Sequence, residues 1–371
     1  MNEIKAQAQT LAPVETFRSA TGFIVHGRGE GNSSRRSQPS NCHEPFITMK
    51  LIPLLLFAGC LAVSAETEEQ INKRFAVQPG GKLVVDVDFG SIDISTNASS
   101  EVTVDIFRKI SRRNKSSEEE FLRERPVTFS QDGNTLTIQS RAKSKIGWSW
   151  RGSQRTEGKY TITVPAQFNP KLKTSGGGIT VSGLTGETKA DTSGGGLKFT
   201  RLHGPLDGAT SGGGIRVAYC EGTLRVHTSG GGIDVSGGSG TLSGDTSGGS
   251  VTVKEFRGPI RVESTGGGIT LENVSGKVEG STSGGSISAR FSTPLSDEVK
   301  LGTSGGGVTV HLAQDSAFDL DAATSGGGVT SDLPVTVSGK IARDHLKGPV
   351  NGGGKPMVLR SSGGSIHVKK L

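Results

Sequence analysis

The stretch TSGGGITV, residues 174–181, decides how this chain folds. A Thr-Ser-Gly-Gly unit of this kind recurs in constant register, with six intervals of 18 residues followed by two of 21. The units begin at Thr174, Thr192, Thr210, Thr228, Thr246, Ser264, Thr282, Thr303, Thr324 and, after a longer gap, Ser361. A fixed period of this length indicates an array of stacked structural repeats, in which glycine marks the turns.

The residues after each glycine run alternate between apolar and polar. The sixth position of successive units is apolar, as are most eighth positions, whereas the seventh is polar: Thr180, Lys198, Arg216, Asp234, Thr252, Thr270. Period-two alternation predicts a strand with one buried face. A second strand is predicted two residues after a recurring glycine, at Leu206, Leu224, Leu242, Ile260 and Val278. At the glycine turns we expect φ > 0 or a close approach of stacked backbones, since glycine has no Cβ.

These patterns predict an all-β fold: a parallel β-solenoid (β-helix) of about ten rungs with 18- to 21-residue repeats over residues 174–339. One repeat cannot bury its own apolar face, but repeats stacked about 4.8 Å apart can bury a continuous column. Cys220 falls in one such column, so we predict that it is a packing residue. The other members of that column are Leu184, Leu202, Phe256 and Val274.

Both ends of the repeat array are predicted to carry caps, because an open terminal rung invites edge-to-edge association. Residues 66–173 contain strand-like runs and a short helical segment, SSEEEFLRER, that Ser116 or Ser117 could cap, so we predict a β-rich N-terminal cap module. Residues 340–371 are predicted to form a closing rung and C-terminal cap, with the lysines of SIHVKK on the edge strand.

Residues 49–65, MKLIPLLLFAGCLAVSA, have the features of a secretory signal peptide: one Lys, an apolar run too short to span a bilayer, and small residues before Ala65. Residues 1–48 are therefore predicted to be an untranslated or disordered extension. The alternative is a lipoprotein, in which FAGC would be cleaved and Cys60 lipidated. Either reading predicts an extracytoplasmic protein in the periplasm, on the outer surface or secreted.

Composition limits the kinds of partner. The 371 residues include 57 glycines and are only 32% hydrophobic and 5% aromatic, which is little for an ordinary globular core. Without residues 1–65 the chain keeps 36 lysines and arginines against 31 aspartates and glutamates, a net charge of +5. With no nucleic-acid motif, this mild charge favours a glycan or anionic envelope polymer as partner. Membrane contact is expected only through a lipid anchor.

The glycine runs do not fit three better-known chemistries. Calcium-binding nonapeptide repeats need an Asp in a column where only Asp234 is acidic. A phosphate-binding loop needs a helix after the glycines, and no helical pattern follows them. An ice-binding face needs near-uniform threonine, whereas one outward column mixes Thr180 with Lys198 and Arg216. We expect no metal and no cofactor.

His227, Asp245 and Glu263 are the candidate catalytic residues. They end three successive repeats, so stacking would place them side by side about 4.8 Å apart. Paired carboxylates on adjacent rungs can share acid and base roles, as β-helical polysaccharide lyases and hydrolases require. The alternative is a solvated polar column in which His227 separates like charges.

Residues 140–155, SRAKSKIGWSWRGSQR, are the candidate binding segment. Both tryptophans of the chain lie here among basic side chains, a combination that suits a glycan, an anionic polymer or a membrane surface. The alternative is a hairpin loop whose tryptophans pack on the cap. The candidate binding residues are Trp148, Trp150, Arg141, Lys143, Lys145 and Arg151.

Four segments carry a family resemblance: GGKLVVDVDFGSIDI (80–94), YTITVP (160–165), TSGGGITV (174–181) and TSGGGIRV (210–217). They resemble a bacterial domain family known as "putative adhesin" and otherwise of unknown function, whose repeats are similar to the head domains of autotransporter adhesins. The resemblance covers residues 75–371 and implies a β-helical, extracytoplasmic protein without established catalytic residues. We therefore predict an exported, adhesin-like scaffold of the cell envelope or surface that binds an extended polymer without catalysis. The alternative is a carbohydrate-active β-helix enzyme.

Overall fold

A computed structural model of the chain describes residues 66–142, 155–337 and 342–371, which all belong to one compact unit, Ala62–Leu371. In these residues the chain has 26 strands, mostly paired in parallel, and one short helix. The prediction of an all-β, mainly parallel fold is confirmed. No helix in these ranges has the length and hydropathy needed to cross a bilayer.

The strands follow the chain in three groups. The N-terminal group is β1 (Thr67–Ala76), β2 (Gly81–Val87), β3 (Ser91–Asn97), β4 (Glu101–Ser111), helix α1 (Lys115–Glu124), β5 (Thr128–Asp132), β6 (Thr135–Ser140) and β7 (Arg155–Pro165). The repeats contribute β8 (Phe168–Thr174), β9 (Ile179–Ser182), β10 (Thr188–Thr192), β11 (Leu197–Thr200), β12 (Leu206–Thr210), β13 (Ile215–Thr228), β14 (Ile233–Thr246), β15 (Val251–Lys254), β16 (Ile260–Ser264), β17 (Ile269–Glu272), β18 (Val278–Thr282), β19 (Ile287–Phe291), β20 (Val299–Thr303), β21 (Val308–Leu312), β22 (Phe318–Thr324) and β23 (Val329–Ser331). The C-terminal group is β24 (His345–Val350), β25 (Lys355–Ser361) and β26 (Ile366–Lys370).

The strands pair in two ladders. Ladder A runs β5-β6-β2-β8-β10-β12-β13-β14-β16-β18-β20-β25-β22-β24, with antiparallel pairs only at its two ends. Ladder B runs β1-β4-β7-β3-β9-β11-β13-β14-β15-β17-β19-β21-β26-β23, with antiparallel pairs only at β1 and β4. We call a ladder-A strand and the ladder-B strand that follows it one rung. The long strands β13 and β14 run through both ladders.

The core consists of apolar columns between the ladders. Leu206, Leu224 and Leu242 are register partners in ladder A, and all three are buried, as the alternation predicts. Large and small residues interlock across the core: a Cβ added to Gly208 would lie 2.9 Å from the ring of Phe199. The prediction for Cys220 is confirmed, because its side chain is fully buried. Burial also raises the pKa of its thiol.

The first residue of each Thr-Ser-Gly-Gly unit points into the core and joins two rungs. The Thr228 hydroxyl donates to the carbonyl of Gly213 on the preceding rung at 2.7 Å and accepts the N–H of Gly231 in its own turn at 3.2 Å. The same bridge recurs at Thr192, Thr210, Thr246, Ser264, Thr282 and Thr303. A buried hydroxyl that satisfies two backbone groups explains why this position is Thr or Ser.

The three glycines of each unit have different roles. A Cβ on the middle glycine Gly213 would lie 2.2 Å from the carbonyl oxygen of Gly195 on the preceding rung, so no side chain fits there. A Cβ on Gly212 would meet ordinary contacts at 3.4 Å, and the third position is Ser at Ser250 and Ser286. None of these glycines has a positive φ. The expectation of φ > 0 is therefore wrong for the Thr-Ser-Gly-Gly turn, where the close approach of stacked backbones requires glycine.

Positive φ occurs instead at two other points of the repeat. The glycine before each second strand has φ between 103° and 139°, at Gly186, Gly204, Gly222, Gly240, Gly258 and Gly276. The residue just after the ladder-B strand lies in the left-handed region on six successive rungs: Gly183, Arg201, Tyr219, Gly237, Glu255 and Asn273. We call the turn formed by this second series the left-handed corner.

The rungs at both ends are stacked out of chain order. Near the N-terminus, β2 pairs with both β6 and β8, and β3 pairs with both β7 and β9, so an early rung lies inside the stack. Near the C-terminus, β25 lies between β20 and β22, and β26 lies between β21 and β23. The hydroxyl bridges follow the same order, since Ser361 donates to Gly306 and Thr324 donates to Gly364.

The prediction that the lysines of SIHVKK lie on an edge strand does not hold for the whole strand. In β26, residues Ile366–Val368 pair with β21 and β23, whereas Lys369 and Lys370 pair with β21 alone. The outermost ladder-A strand is β24, which pairs antiparallel with β22 and leaves its other side without a strand among the described residues. Ser361 begins a full Ser-Ser-Gly-Gly unit, so its turn fits between two rungs as the other turns do.

Helix α1 contacts the N-terminal strands and their loops through Glu118 and through Phe121, whose ring centroid lies 5.6 Å from that of Phe89. Its N-cap is Asn114, whose side chain accepts the N–H of Ser117 at 2.9 Å, so the prediction that Ser116 or Ser117 caps the helix is wrong. The buried Glu118 accepts the hydroxyl of Thr67 on β1 at 2.7 Å and the N–H of Arg112 at 2.8 Å. The contact with β1 holds the helix to the outer strand of ladder B.

Candidate functional site

The three candidate catalytic residues lie in one outward column of ladder A but do not form one cluster. His227 is the register partner of Asp245, and Asp245 that of Glu263. The Nδ1 atom of His227 contacts Oδ1 of Asp245, whereas Glu263 accepts a hydrogen bond from Arg261 at 2.5 Å. The column is therefore a His–Asp pair beside a separate ion pair. The side chains of the pair are about half exposed, at 51% and 52%.

The part of the chain that the structure describes contains no cluster of metal ligands. No group of three His, Cys, Asp or Glu side chains there is arranged to hold an ion. His227 and Asp245 alone supply two ligands, fewer than stable metal sites in proteins use.

A groove of 520 Å³ opens beside this column, where ladder A meets the Thr-Ser-Gly-Gly turns. We call it the hydroxyl groove. Its charged lining residues are Asp245, Glu263 and Arg360. Its hydroxyl-bearing lining residues include Ser247, Thr265, Ser283, Ser304 and Ser362. These residues come from five successive rungs, so the groove follows the direction of stacking.

The row of hydroxyls follows directly from the repeat. The first residue of each unit is turned inward and hydrogen-bonded, so the second, a Ser or Thr, is left on the outside. Ser247, Thr265, Ser283 and Ser304 are all exposed. Strand pairing repeats them about every 4.8 Å along the stack. A ligand lying along the groove would meet an equivalent hydroxyl at each rung.

The depth of the groove comes from two small residues. The column that carries Asp245 and Glu263 continues with Ser281 and Gly302 before it reaches Arg360. A Cβ added to Gly302 would meet no atom within 4 Å, which shows how open this point is. Glu263, Ser281, Gly302 and Arg360 also line an adjoining hollow of 350 Å³.

Charges around the hollow are largely paired with each other. Arg261 bonds Glu279 at 3.0 Å, and a hydrogen bond from Lys277 holds the pKa of Glu279 below its ordinary value. The same effect of Lys300 lowers the pKa of Glu298. These carboxylates stay ionised at neutral pH, but the neighbouring cations offset their charge.

Arg360 is the charged residue of the candidate site that sequence reasoning missed. Its guanidinium binds Asp321 with an Nη2 to Oδ1 distance of 2.8 Å. Burial would raise the pKa of Asp321, but Arg360 and Lys347 together hold it below its ordinary value. By chain order Gly302 would be followed in the stack by Ala323. Ser361 follows Thr324 by 37 residues, which is neither 18 nor 21. The spacing therefore gives no sign that Arg360, and not Ala323, is the neighbour of Gly302.

Of the six candidate binding residues, Arg141 alone lies in the described ranges. Arg141 pairs with Asp86 and, at 3.4 Å, with Asp88, and the hydrogen bond to Asp86 raises its pKa. It therefore has acidic partners within the chain. The other proposed binding residues lie outside the described residues, as does the candidate lipidation site Cys60: Lys143, Lys145, Trp148, Trp150 and Arg151.

Comparison with known proteins gives a family match over most of the chain. The model of the family described as Toastrack DUF4097 matches residues 81–369. This range includes all of ladder B except β1 and the end of β26, the whole of ladder A, and the hydroxyl groove. No curated protein matches the sequence.

Several crystal structures are similar over most of the chain at low identity. A putative adhesin from Parabacteroides merdae is 12% identical, with 82% of this chain and 96% of that chain covered and a TM-score of 0.39. A putative adhesin from Bacteroides fragilis is 14% identical, with 82% and 97% covered and a TM-score of 0.31. A putative lipid binding protein from Parabacteroides distasonis is 13% identical, with 81% and 96% covered and a TM-score of 0.33. All three TM-scores are low, so the family match alone carries the assignment.

Proposed function

Because the chain belongs to the Toastrack DUF4097 family, we propose that it is an exported, adhesin-like β-solenoid scaffold that binds an extended polymer of the cell envelope or surface without catalysis. The hydroxyl groove is the observation that carries this proposal. It offers one hydroxyl on each of several stacked rungs, so its contacts repeat along a line, as do the units of a polymer. Export is inferred from the signal-peptide pattern of residues 49–65.

A glycan or an anionic envelope polymer fits the groove best. Exposed serine hydroxyls and glycine backbone form hydrogen bonds with sugar hydroxyls, and Arg360 can contact an acidic group. Asp245 and Glu263 at the other end of the groove favour neutral or amine-bearing units there. Each contact is weak, so affinity depends on many contacts made at once.

A carbohydrate-active enzyme is the second candidate, favoured by the contact between His227 and Asp245 at the edge of the same groove. We propose binding over catalysis because both side chains are about half exposed. Acid and base groups act most strongly on a substrate in a site from which water is excluded. The remaining carboxylate, Glu263, is engaged by Arg261.

The proposal is tested by sedimentation of residues 66–371 with insoluble peptidoglycan sacculi and by affinity electrophoresis in a neutral β-glucan and in polygalacturonate. Wild-type protein is expected to bind at least one of these polymers. Gly302→Phe is expected to weaken that binding by at least about tenfold, because the ring fills the groove at a point where a side chain meets no atom.

The matched control is Gly176→Phe, since a Cβ on Gly176 also meets no atom within 4 Å but the residue does not line the groove. It should bind as wild type does. Equal binding by Gly302→Phe and wild type would refute the groove as the binding site. Polymer fragments detected by mass spectrometry, and lost in His227→Ala, would instead establish the enzyme.

A further inference from the structure

The left-handed corner lies at the other end of the ladder-B strands from the Thr-Ser-Gly-Gly turn. Its backbone has φ between 51° and 73° on six successive rungs, a conformation that glycine and asparagine tolerate best. Gly183, Gly237 and Asn273 follow that preference, whereas Arg201, Tyr219 and Glu255 do not, and Tyr219 is the bulkiest of the three. A tyrosine here, with φ of 54°, works against the backbone and calls for a reason outside the fold.

Packing does not supply that reason. Tyr219 is 62% exposed, the most exposed of the large hydrophobic side chains in the described ranges. One face of its ring covers Gly237 on the next rung, where an added Cβ would lie 2.7 Å from Cδ1 of the ring. The absence of a side chain at Gly237 makes room for the ring, most of which stays open to solvent.

A groove of 610 Å³ lies along the same corner, in the size range of small-ligand sites, and Tyr219 stands just outside its lining, two residues before Glu221. We call it the tyrosine groove. Its floor includes Gly238, the neighbour of Gly237, and its polar lining includes Glu221, Glu255, Arg257 and Asn273. Glu255 belongs to the left-handed corner two rungs beyond Tyr219, which places it about 10 Å along the stack. That span matches one or two sugar rings.

Two of the three charged lining side chains have no partner in the described part of the protein. Glu221 contacts His203 at 3.2 Å, and Asn273 contacts Ser292 at 2.5 Å. Glu255 and Arg257, by contrast, form no side-chain hydrogen bond or ion pair with any described residue. A carboxylate acceptor and a guanidinium donor are therefore both available at the groove.

We infer that the tyrosine groove binds a neutral saccharide, with one pyranose ring stacked on the exposed ring of Tyr219 and its hydroxyls hydrogen-bonded to Glu255 and Arg257. A tyrosine ring offers a flat apolar face that matches the C–H face of a pyranose. Two carboxylates, at Glu221 and Glu255, disfavour an anionic ligand. The inference goes beyond the proposed function, because this groove is separate from the hydroxyl groove.

The test is saturation-transfer NMR on residues 66–371 with hexasaccharides of glucose, mannose, galactose and N-acetylglucosamine. At least one should receive saturation on its ring protons from the wild-type protein. Tyr219→Gly should lower the affinity for that sugar at least about tenfold. Tyr219→Phe keeps the ring and should lower the affinity by less than about threefold. The melting temperature of Tyr219→Gly should equal or exceed that of wild type, because glycine relieves the left-handed conformation.

Arg201→Gly is the matched control, since it relieves the same backbone conformation one rung further from the residues that line the groove. It should leave sugar binding unchanged. Gly302→Phe should also leave it unchanged, because Gly302 lines the hydroxyl groove and not the tyrosine groove. The two grooves can therefore be refuted independently. The inference is overturned if no hexasaccharide binds wild type, or if Tyr219→Gly binds as tightly as wild type. A lower melting temperature for Tyr219→Gly would also overturn it, by showing that the ring serves packing.

Discussion

The middle glycine of each repeat is the residue on which the stacking depends most. Replacing Gly213 by Ala would put a methyl group 2.2 Å from the Gly195 carbonyl, and backbone cannot move aside as a side chain can. We expect Gly213→Ala to lower the free energy of unfolding by at least about 2–3 kcal/mol, measured by urea denaturation. The control Gly212→Ala should change it by less than about 1 kcal/mol. Similar values for both variants would contradict the stacking geometry.

The inward threonine makes a second prediction at the residue scale. Thr228→Val keeps the shape of the side chain but leaves the Gly213 carbonyl and the Gly231 N–H without the hydroxyl that joins them. The expected cost is about 1–3 kcal/mol in the free energy of unfolding. Thr228→Ser keeps the hydroxyl, as Ser264 and Ser361 do in the native chain, and should cost less than the valine variant. The reverse order would show that the methyl group, and not the hydroxyl, matters here.

At the scale of elements, the attachment of α1 should depend on pH. Hydrogen bonds from the Arg112 N–H and then from the Thr67 hydroxyl hold the pKa of Glu118 below its ordinary value of 4.5. A lowered carboxyl pKa stabilises the fold at pH values above the unfolded pKa, and this contribution is lost as pH falls through the folded pKa. Thermal melts of Glu118→Gln should therefore show a lower melting temperature than wild type at pH 7 and a smaller difference at pH 3.

Glu119→Gln is the control for that series, because Glu119 is an exposed neighbour on the same helix. Its melting temperature should follow wild type at every pH. If Glu118→Gln and wild type lose stability in parallel between pH 7 and pH 3, the hydrogen bonds of Glu118 do not contribute to the acid sensitivity of the protein.

The elements could be predicted where sequence period and structural period coincide. The columns through Leu206 and Cys220 are buried as predicted, because a constant 18-residue spacing fixes which residues stack. The N-cap was misassigned because three polar residues, Asn114, Ser116 and Ser117, compete for it at neighbouring positions. The cause of glycine at Gly213 was left open, since sequence does not separate a positive φ from a close backbone approach, and the structure shows the second.

At the scale of the whole molecule, the order of rungs at the C-terminus is what sequence could not predict. Repeat spacing orders strands that follow one another along the chain, and it says nothing of a strand that returns to an earlier position. Chain order therefore predicts Ala323 as the next neighbour of Gly302, whereas in the structure that neighbour is Arg360. Arg360, which completes the hydroxyl groove, was missed for the same reason.

Disulfide trapping tests this order directly. Gly302→Cys with Arg360→Cys puts two thiols on register partners, and these should oxidise to a disulfide. Gly302→Cys with Ala323→Cys puts them two rungs apart, about 10 Å, which is too far. Cys220 is buried and does not compete. Mass spectrometry that finds the second pair linked and the first pair free would contradict the stacking order.

The central claim is that the stack binds an extended polymer through contacts repeated from rung to rung. The most direct test is the affinity of residues 66–371 for oligomers of the polymer that binds, from two to about eight sugar units, by isothermal titration calorimetry. The hydroxyl groove runs from the rung of Asp245 to that of Arg360, a distance of about 20 Å. Affinity should rise with length until the oligomer fills the groove, at about four units, and then level off. Equal affinity for the shortest and longest oligomers would contradict the claim.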